Sequence, residues 1–110
     1  MSDVKNRLRV CAIDEVMIGG KLQVDLPGLP TLAVFRVAHG EFYCTDDLCT
    51  HGNASLSADG ELQDHVVECG WHGGKFDVRT GEACGPPCIE PLMTYPVSLD
   101  DGVVYIEVRG

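Results

Sequence analysis

Positive charge is scarce in this chain: eight Lys and Arg stand against seventeen Asp and Glu in 110 residues, leaving a net charge of −9. That balance repels phosphate backbones and anionic lipid, which excludes nucleic acid and membrane surfaces as partners. Long apolar runs are missing too. No window approaches the ~20 apolar residues of a membrane span, and Met1 to Val10 carries Asp3, Lys5, Arg7 and Arg9 but no apolar stretch of a secretory signal. The expectation is a soluble, cytoplasmic chain. Repeats, low-complexity tracts and linkers are absent, and the length suits one domain, 1–110, on a prior of about 100–200 residues per domain. Helical periodicity is weak everywhere, with single turns expected only at 14–17 and 53–57.

What is present reads as β-structure. Alternating runs predict strands at 7–13, 21–26, 31–37 and 41–45, with Ala38-His39-Gly40 as a hairpin turn. Shorter runs follow at 62–69 and 75–78. A C-terminal hairpin pairs 95–99 with 103–108 across Asp100-Asp101-Gly102. So small a domain buries little surface and calls for a staple. Six cysteines are available, and without a secretory signal they read as thiols or metal ligands rather than a disulfide framework.

The chemistry concentrates in Cys49-Thr50-His51-Gly52 and Cys69-Gly70-Trp71-His72-Gly73-Gly74. Each segment supplies one thiolate and one imidazole where a strand-like run meets glycine, so two loop tips can present two sulfurs and two nitrogens to one metal centre. Gly52, Gly70, Gly73 and Gly74 allow positive φ and close backbone approach, with N–H groups aimed at cluster sulfurs. Two Cys and two His also satisfy tetrahedral zinc, but structural zinc sites pair like ligands at short spacing. Here each arm is mixed, as in a Rieske [2Fe–2S] centre, where two Cys hold one iron and two His the other.

The sequence resembles a Rieske-type ferredoxin, specifically the ferredoxin component of a multicomponent bacterial aromatic-ring-hydroxylating dioxygenase. The likeness runs over nearly the whole chain and rests on Cys49-Thr50-His51-Gly52, on Cys69 through Gly81, and on Gly85-Pro86-Pro87. It implies an all-β fold of antiparallel sheets with little helix. A small cluster-binding subdomain, about 46–87, would sit on a basal domain made by 1–45 and 88–110. It implies one [2Fe–2S] cluster held by Cys49, His51, Cys69 and His72, covered by a third loop containing Pro86 and Pro87. It also implies a monomeric electron carrier without catalysis of its own. Such a carrier serves an NADH-dependent, flavin-containing ferredoxin reductase and a terminal oxygenase in turn, with His51 and His72 as the gateway.

Charge arithmetic supports that role. Two ferric ions, two sulfides and two thiolates sum to zero when His is neutral, whereas four thiolates leave the cluster at minus two, so the mixed set is easier to reduce. High-potential relatives carry a Ser and a Tyr hydroxyl where this chain has Gly74 and Phe76, and a disulfide where it has Ala54 and Trp71. The resemblance therefore implies a potential near the low end of the Rieske range, about −150 mV. A high-potential membrane complex and an oxygenase subunit are both disfavoured, the latter because only His39 and His65 remain, in a chain too short for a mononuclear iron domain. His39 and His65 read as solvated surface residues, Cys11 and Cys44 as small buried hydrophobes. Cys84 and Cys88, beside the proline loop, carry no assigned role, and Trp71 reads as a shield for the cluster. Asp46, Asp47, Glu68 and Glu82, the acids nearest the ligand loops, are candidates for steering basic partners. Two alternatives stand: the small Rieske-like subunit of an assimilatory nitrite reductase, and a zinc-stapled interaction domain.

Overall fold

The computed structural model describes residues 5–49, 54–70, 74–85 and 90–109. Eleven strands lie in three sheets there, and every pairing is antiparallel. The first sheet joins β1 (Lys5–Ala12), β11 (Val103–Arg109) and β10 (Val97–Asp100), in that order. The second runs β2 (Lys21–Val24), β3 (Leu32–Ala38), β4 (Glu41–Asp46), β9 (Thr94–Tyr95). The third runs β5 (Glu61–Gln63), β6 (Val66–Glu68), β7 (Lys75–Asp77), β8 (Ala83–Gly85). Among the described residues, helix is confined to a 3-10 turn at Ile13–Glu15 and one turn, α1 (Leu56–Asp59). The expectation of antiparallel sheets with little helix is borne out. No helix among the described residues is long and apolar enough to cross a membrane.

Turn chemistry explains the hairpins. Asp101 and Gly102 both take positive φ, 51° and 78°, the requirement of the tight turn whose twist matches its flanking strands. Asp64, at φ 53°, reverses the chain between Gln63 and Val66. The sequence run over 62–69 is therefore a hairpin and not one strand, because an Asp tolerates the left-handed conformation and its neighbours alternate equally well on either side of the turn. The run over 95–99 is also divided. Pro96 has no N–H to donate, and β9 pairs with β4 while β10 pairs with β11. The short strand β8 has no alternating run to announce it.

Strand β3 is the axis of the molecule. Leu32, Val34, Phe42 and Cys44 join Val10, Cys11, Val16, Val24, Val104 and Ile106 in a core between the first two sheets. Ala33 and Phe35, pointing the other way as strand geometry requires, join Leu56, Val67, Phe76, Val78 and Leu92 in a second core beneath the third sheet. Residues 32–35 are fully buried on both faces. Arg36, also buried, spends its guanidinium on main-chain carbonyls: Nη1 donates to Val16 O at 2.9 Å and Nη2 to His39 O at 2.7 Å.

Candidate metal centre

The second core reaches Cys49 and Cys69, each 2 % exposed. Both cysteines stand at the neck of a six-residue loop, and the two necks are closed in the same way. Cys49 N–H donates to Ala54 O at 3.0 Å, and Cys69 N–H donates to Gly74 O at 2.7 Å. A bridge between Leu48 and Ser55 draws the first neck tighter. Two similarly closed necks thus rise from one apolar floor, each with a cysteine at its root. His51 and His72, the imidazole candidates, lie outside the described residues, as do Trp71, Pro86, Pro87 and Cys88.

The first neck is built around Asp47, whose side chain is buried. Ser55 Oγ donates to its Oδ2 at 2.6 Å, Gln23 Nε2 to the same oxygen at 3.1 Å, and Ser57 N–H to Oδ1 at 2.8 Å. Burial pushes this carboxyl up, but the hydrogen bonds from Ser55, Ser57 and Gln23 outweigh it and hold it below its ordinary value. Ser55 also caps α1, accepting from Ala58 N–H at 3.2 Å. The helical turn expected at 53–57 is found slightly later, at Leu56–Asp59, where Ser55 supplies the cap. At the other end of α1, Asp59 O lies so close to Gly70 that a Cβ built on Gly70 would sit 2.1 Å from it. Gly70 does not take positive φ. Its requirement is room for α1, which ties the loop that begins at Cys69 to the helix that follows the loop beginning at Cys49.

Two sequence expectations change here. Asp47 is no steering group, since it is buried and saturated. Asp46 is half-buried and accepts the Tyr95 hydroxyl at 2.7 Å, whereas Glu68 and Glu82 are exposed. His65 is no free surface histidine: its Nε2 lies 2.6 Å from Glu41 Oε2, and its ring meets Tyr43 edge-on with centroids 6.0 Å apart. Tyr43 donates its hydroxyl to the same carboxylate. Glu41 is held below its ordinary value, by Tyr43 first and His65 second, while burial and Glu41 push Tyr43 up to about 12. Glu41 and Tyr43 belong to β4 and His65 to the β5–β6 turn, so this network fastens the third sheet to the second. Residues 24 positions apart formed it, and no local pattern announces such a contact.

His39 is exposed as expected, and Cys11 and Cys44 are buried in the first core. Burial pushes their thiols up to about 11 and about 12. Cys84 is an exposed free thiol on β8. Two thiols rooted in one apolar core, each beginning a glycine-bearing loop, could supply the two sulfurs that a mixed Cys/His iron–sulfur centre requires.

The chain's residues 6–96 match the Rieske [2Fe–2S] domain family. The ferredoxin component of the p-cumate 2,3-dioxygenase system of Pseudomonas putida is 47 % identical over 106 residues, covering 96 % of this chain and 89 % of the relative. The structure of a Sphingomonas yanoikuyae B1 ferredoxin superimposes with a TM-score of 0.87 at 46 % identity, covering 94 % of this chain and 99 % of the other. The ferredoxin chain solved in complex with reduced oxygenase in carbazole 1,9a-dioxygenase gives 0.84 at 44 % identity, covering 91 % of each chain. The chain belongs to the Rieske [2Fe–2S] family, within its dioxygenase-type ferredoxins, and is an electron carrier with one Rieske-type cluster.

Proposed function

We propose that Cys49 and Cys69 hold one iron of the cluster and His51 and His72 the other. The observation that carries this reading is the pair of matched loop necks, each closed by the N–H of its own cysteine, with both thiols buried in one core. The imidazoles follow from the motif, since each is two or three residues beyond its cysteine on the same loop. When bound, the cluster supplies reversible one-electron transfer near the protein surface. Residues 46–87 form the cluster-binding subdomain and 1–45 with 88–110 the basal domain. The third sheet and α1 fall inside the former, and the shared strand β3 inside the latter.

The carrier passes electrons from an NADH-dependent flavoprotein reductase to a terminal aromatic-ring-hydroxylating oxygenase, as a monomer in the cytoplasm. The complex of a related ferredoxin with its oxygenase supports the second half of that route. Leu48, 54 % exposed directly before Cys49, offers an apolar contact for transient docking beside the ligand loops. The potential lies at the low end of the Rieske range, about −150 mV. Phe76, fully buried in the core, brings no hydroxyl to the sulfurs, and neither does Gly74.

Optical and low-temperature EPR spectra before and after dithionite, with a redox titration on the same sample, test this. The expected result is a reducible centre with an average g-value below that of an all-thiolate cluster and a low midpoint. A colourless protein with stoichiometric zinc overturns the reading, and a strongly positive midpoint overturns the inference from Gly74 and Phe76.

A further inference from the structure

Asp47 is the one acidic side chain buried among the described residues. It accepts three hydrogen bonds and donates none, the behaviour of an ionised carboxylate. The donors come from β2, from the residue capping α1 and from the first turn of α1: Gln23 Nε2, Ser55 Oγ and Ser57 N–H. Its main chain closes the same seam, with Asp47 N–H on Thr31 O at 2.9 Å and Leu56 N–H on Asp47 O at 2.8 Å. The strand, the helix and the loop that begins at Cys49 are therefore joined at one side chain, two residues before the ligand.

Closing this neck needs hydrogen bonding but not charge. An Asn amide is the same shape, and Gln23 and Ser55 can each turn to meet its NH2 group as acceptors. A buried charge costs free energy that an amide does not, and its effect on anything that gains an electron nearby is repulsive and weakly screened. We propose that Asp47 is a positioning residue that also acts electrostatically: it fixes the first ligand loop and, through its buried negative charge, lowers the midpoint potential of the cluster. This rests on the reading that Cys49 is a ligand. Gln23, which reaches Asp47 from β2, outside the ligand-loop region, and donates to its carboxylate, moderates that charge.

The two residues make opposite predictions. In D47N the repulsion is gone and reduction becomes easier, by about tenfold in electron affinity, which is 59 mV for a one-electron couple. In Q23A the carboxylate remains with one donor fewer, so its charge is less compensated and the midpoint falls, by about twofold in electron affinity. General damage to the loop would not send the two variants in opposite directions.

The test is a potentiometric titration of wild-type, D47N and Q23A holoprotein, followed by EPR, with iron measured on each sample. The expected result is full iron, unchanged g-values and midpoints displaced upward in D47N and downward in Q23A. Iron-replete variants with unmoved midpoints, or with midpoints that move together, overturn the proposal. Should D47N not retain its cluster, Q23A decides alone: a downward shift supports the proposal, and no shift or an upward one overturns it. A C49S variant with wild-type iron and spectra would overturn the ligand reading itself, and the proposal with it, which is distinct from unmoved midpoints in D47N and Q23A.

Discussion

Gly70 follows Cys69 directly, and the space where its side chain would begin is taken by the carbonyl of Asp59. At 2.1 Å from that oxygen a methyl group cannot be accommodated without moving the backbone of α1 or of the second ligand loop. Main-chain atoms on both sides leave no flexible side chain to yield. G70A is therefore expected to separate the two loops while leaving the three sheets paired. Visible absorbance should fall below half of wild type at equal protein concentration, with the far-UV circular dichroism retained. An alanine variant with wild-type absorbance would show that the contact between α1 and the loop has no bearing on the cluster. The neighbouring sequence does show a glycine, but the reason for it, an approaching carbonyl eleven residues earlier, is invisible without the fold. The same holds for His65. Nothing in Asp64-His65-Val66 distinguishes a solvated turn from one that reaches Glu41 across two sheets.

Among the elements, β3 does the most to unite the molecule. Because Leu32 and Val34 face one core while Ala33 and Phe35 face the other, damage to either core passes through a single strand. L32A removes a fully buried side chain from the core that does not hold Cys49 and Cys69, and such truncations cost about 2–5 kcal/mol. That is a large share of the about 5–15 kcal/mol that holds a domain together. If β3 couples the cores, L32A lowers the temperature of cluster loss, read by visible absorbance, as much as that of strand loss, read by far-UV dichroism. Absorbance that persists to the wild-type temperature while the dichroism melts early would show two independent units. The strands that the sequence announces are those whose apolar runs are bounded by turn residues or by the chain end: β1, β2, β3, β4, β7 and β11. Those that escape it are short strands whose partners decide their existence. β8 has three residues, and β9 and β10 read as one run because alternation continues through Pro96. The site follows the same division: its four ligand candidates are legible from spacing, whereas the closing of the loop necks depends on Asp47 and Gly70 meeting residues from other elements.

For the whole molecule, the protonation of buried and paired groups sets the pH range in which the fold is secure. On the acid side, Glu41 is held low by Tyr43 and His65, and Asp77 by Arg79, whose Nη2 and Nε lie 2.8 and 3.0 Å from its carboxylate. A carboxylate with a depressed folded pKa contributes stability that is present above its unfolded value, 4.5 for Glu41 and 3.8 for Asp77, and is lost as the pH falls through the folded one. On the alkaline side the sign is reversed. The Cys11 and Cys44 thiols, raised by burial from 9.0 to about 11 and about 12, and the Tyr43 phenol, raised from 10.0 to about 12, are neutral when folded. Their contribution is whole below the unfolded values and disappears as the pH climbs from 9 toward 12. Melting temperature is therefore expected to be flat between about pH 5 and 8 and to decline on both sides. C11A combined with C44A creates small cavities and lowers the plateau, yet it deletes two groups that must ionise on alkaline unfolding. Its decline above about pH 9 should be shallower than that of wild type. Two alkaline limbs that run parallel after the plateau difference is subtracted would show that these thiols, in the core farthest from the ligand loops, have no part in the alkaline limit.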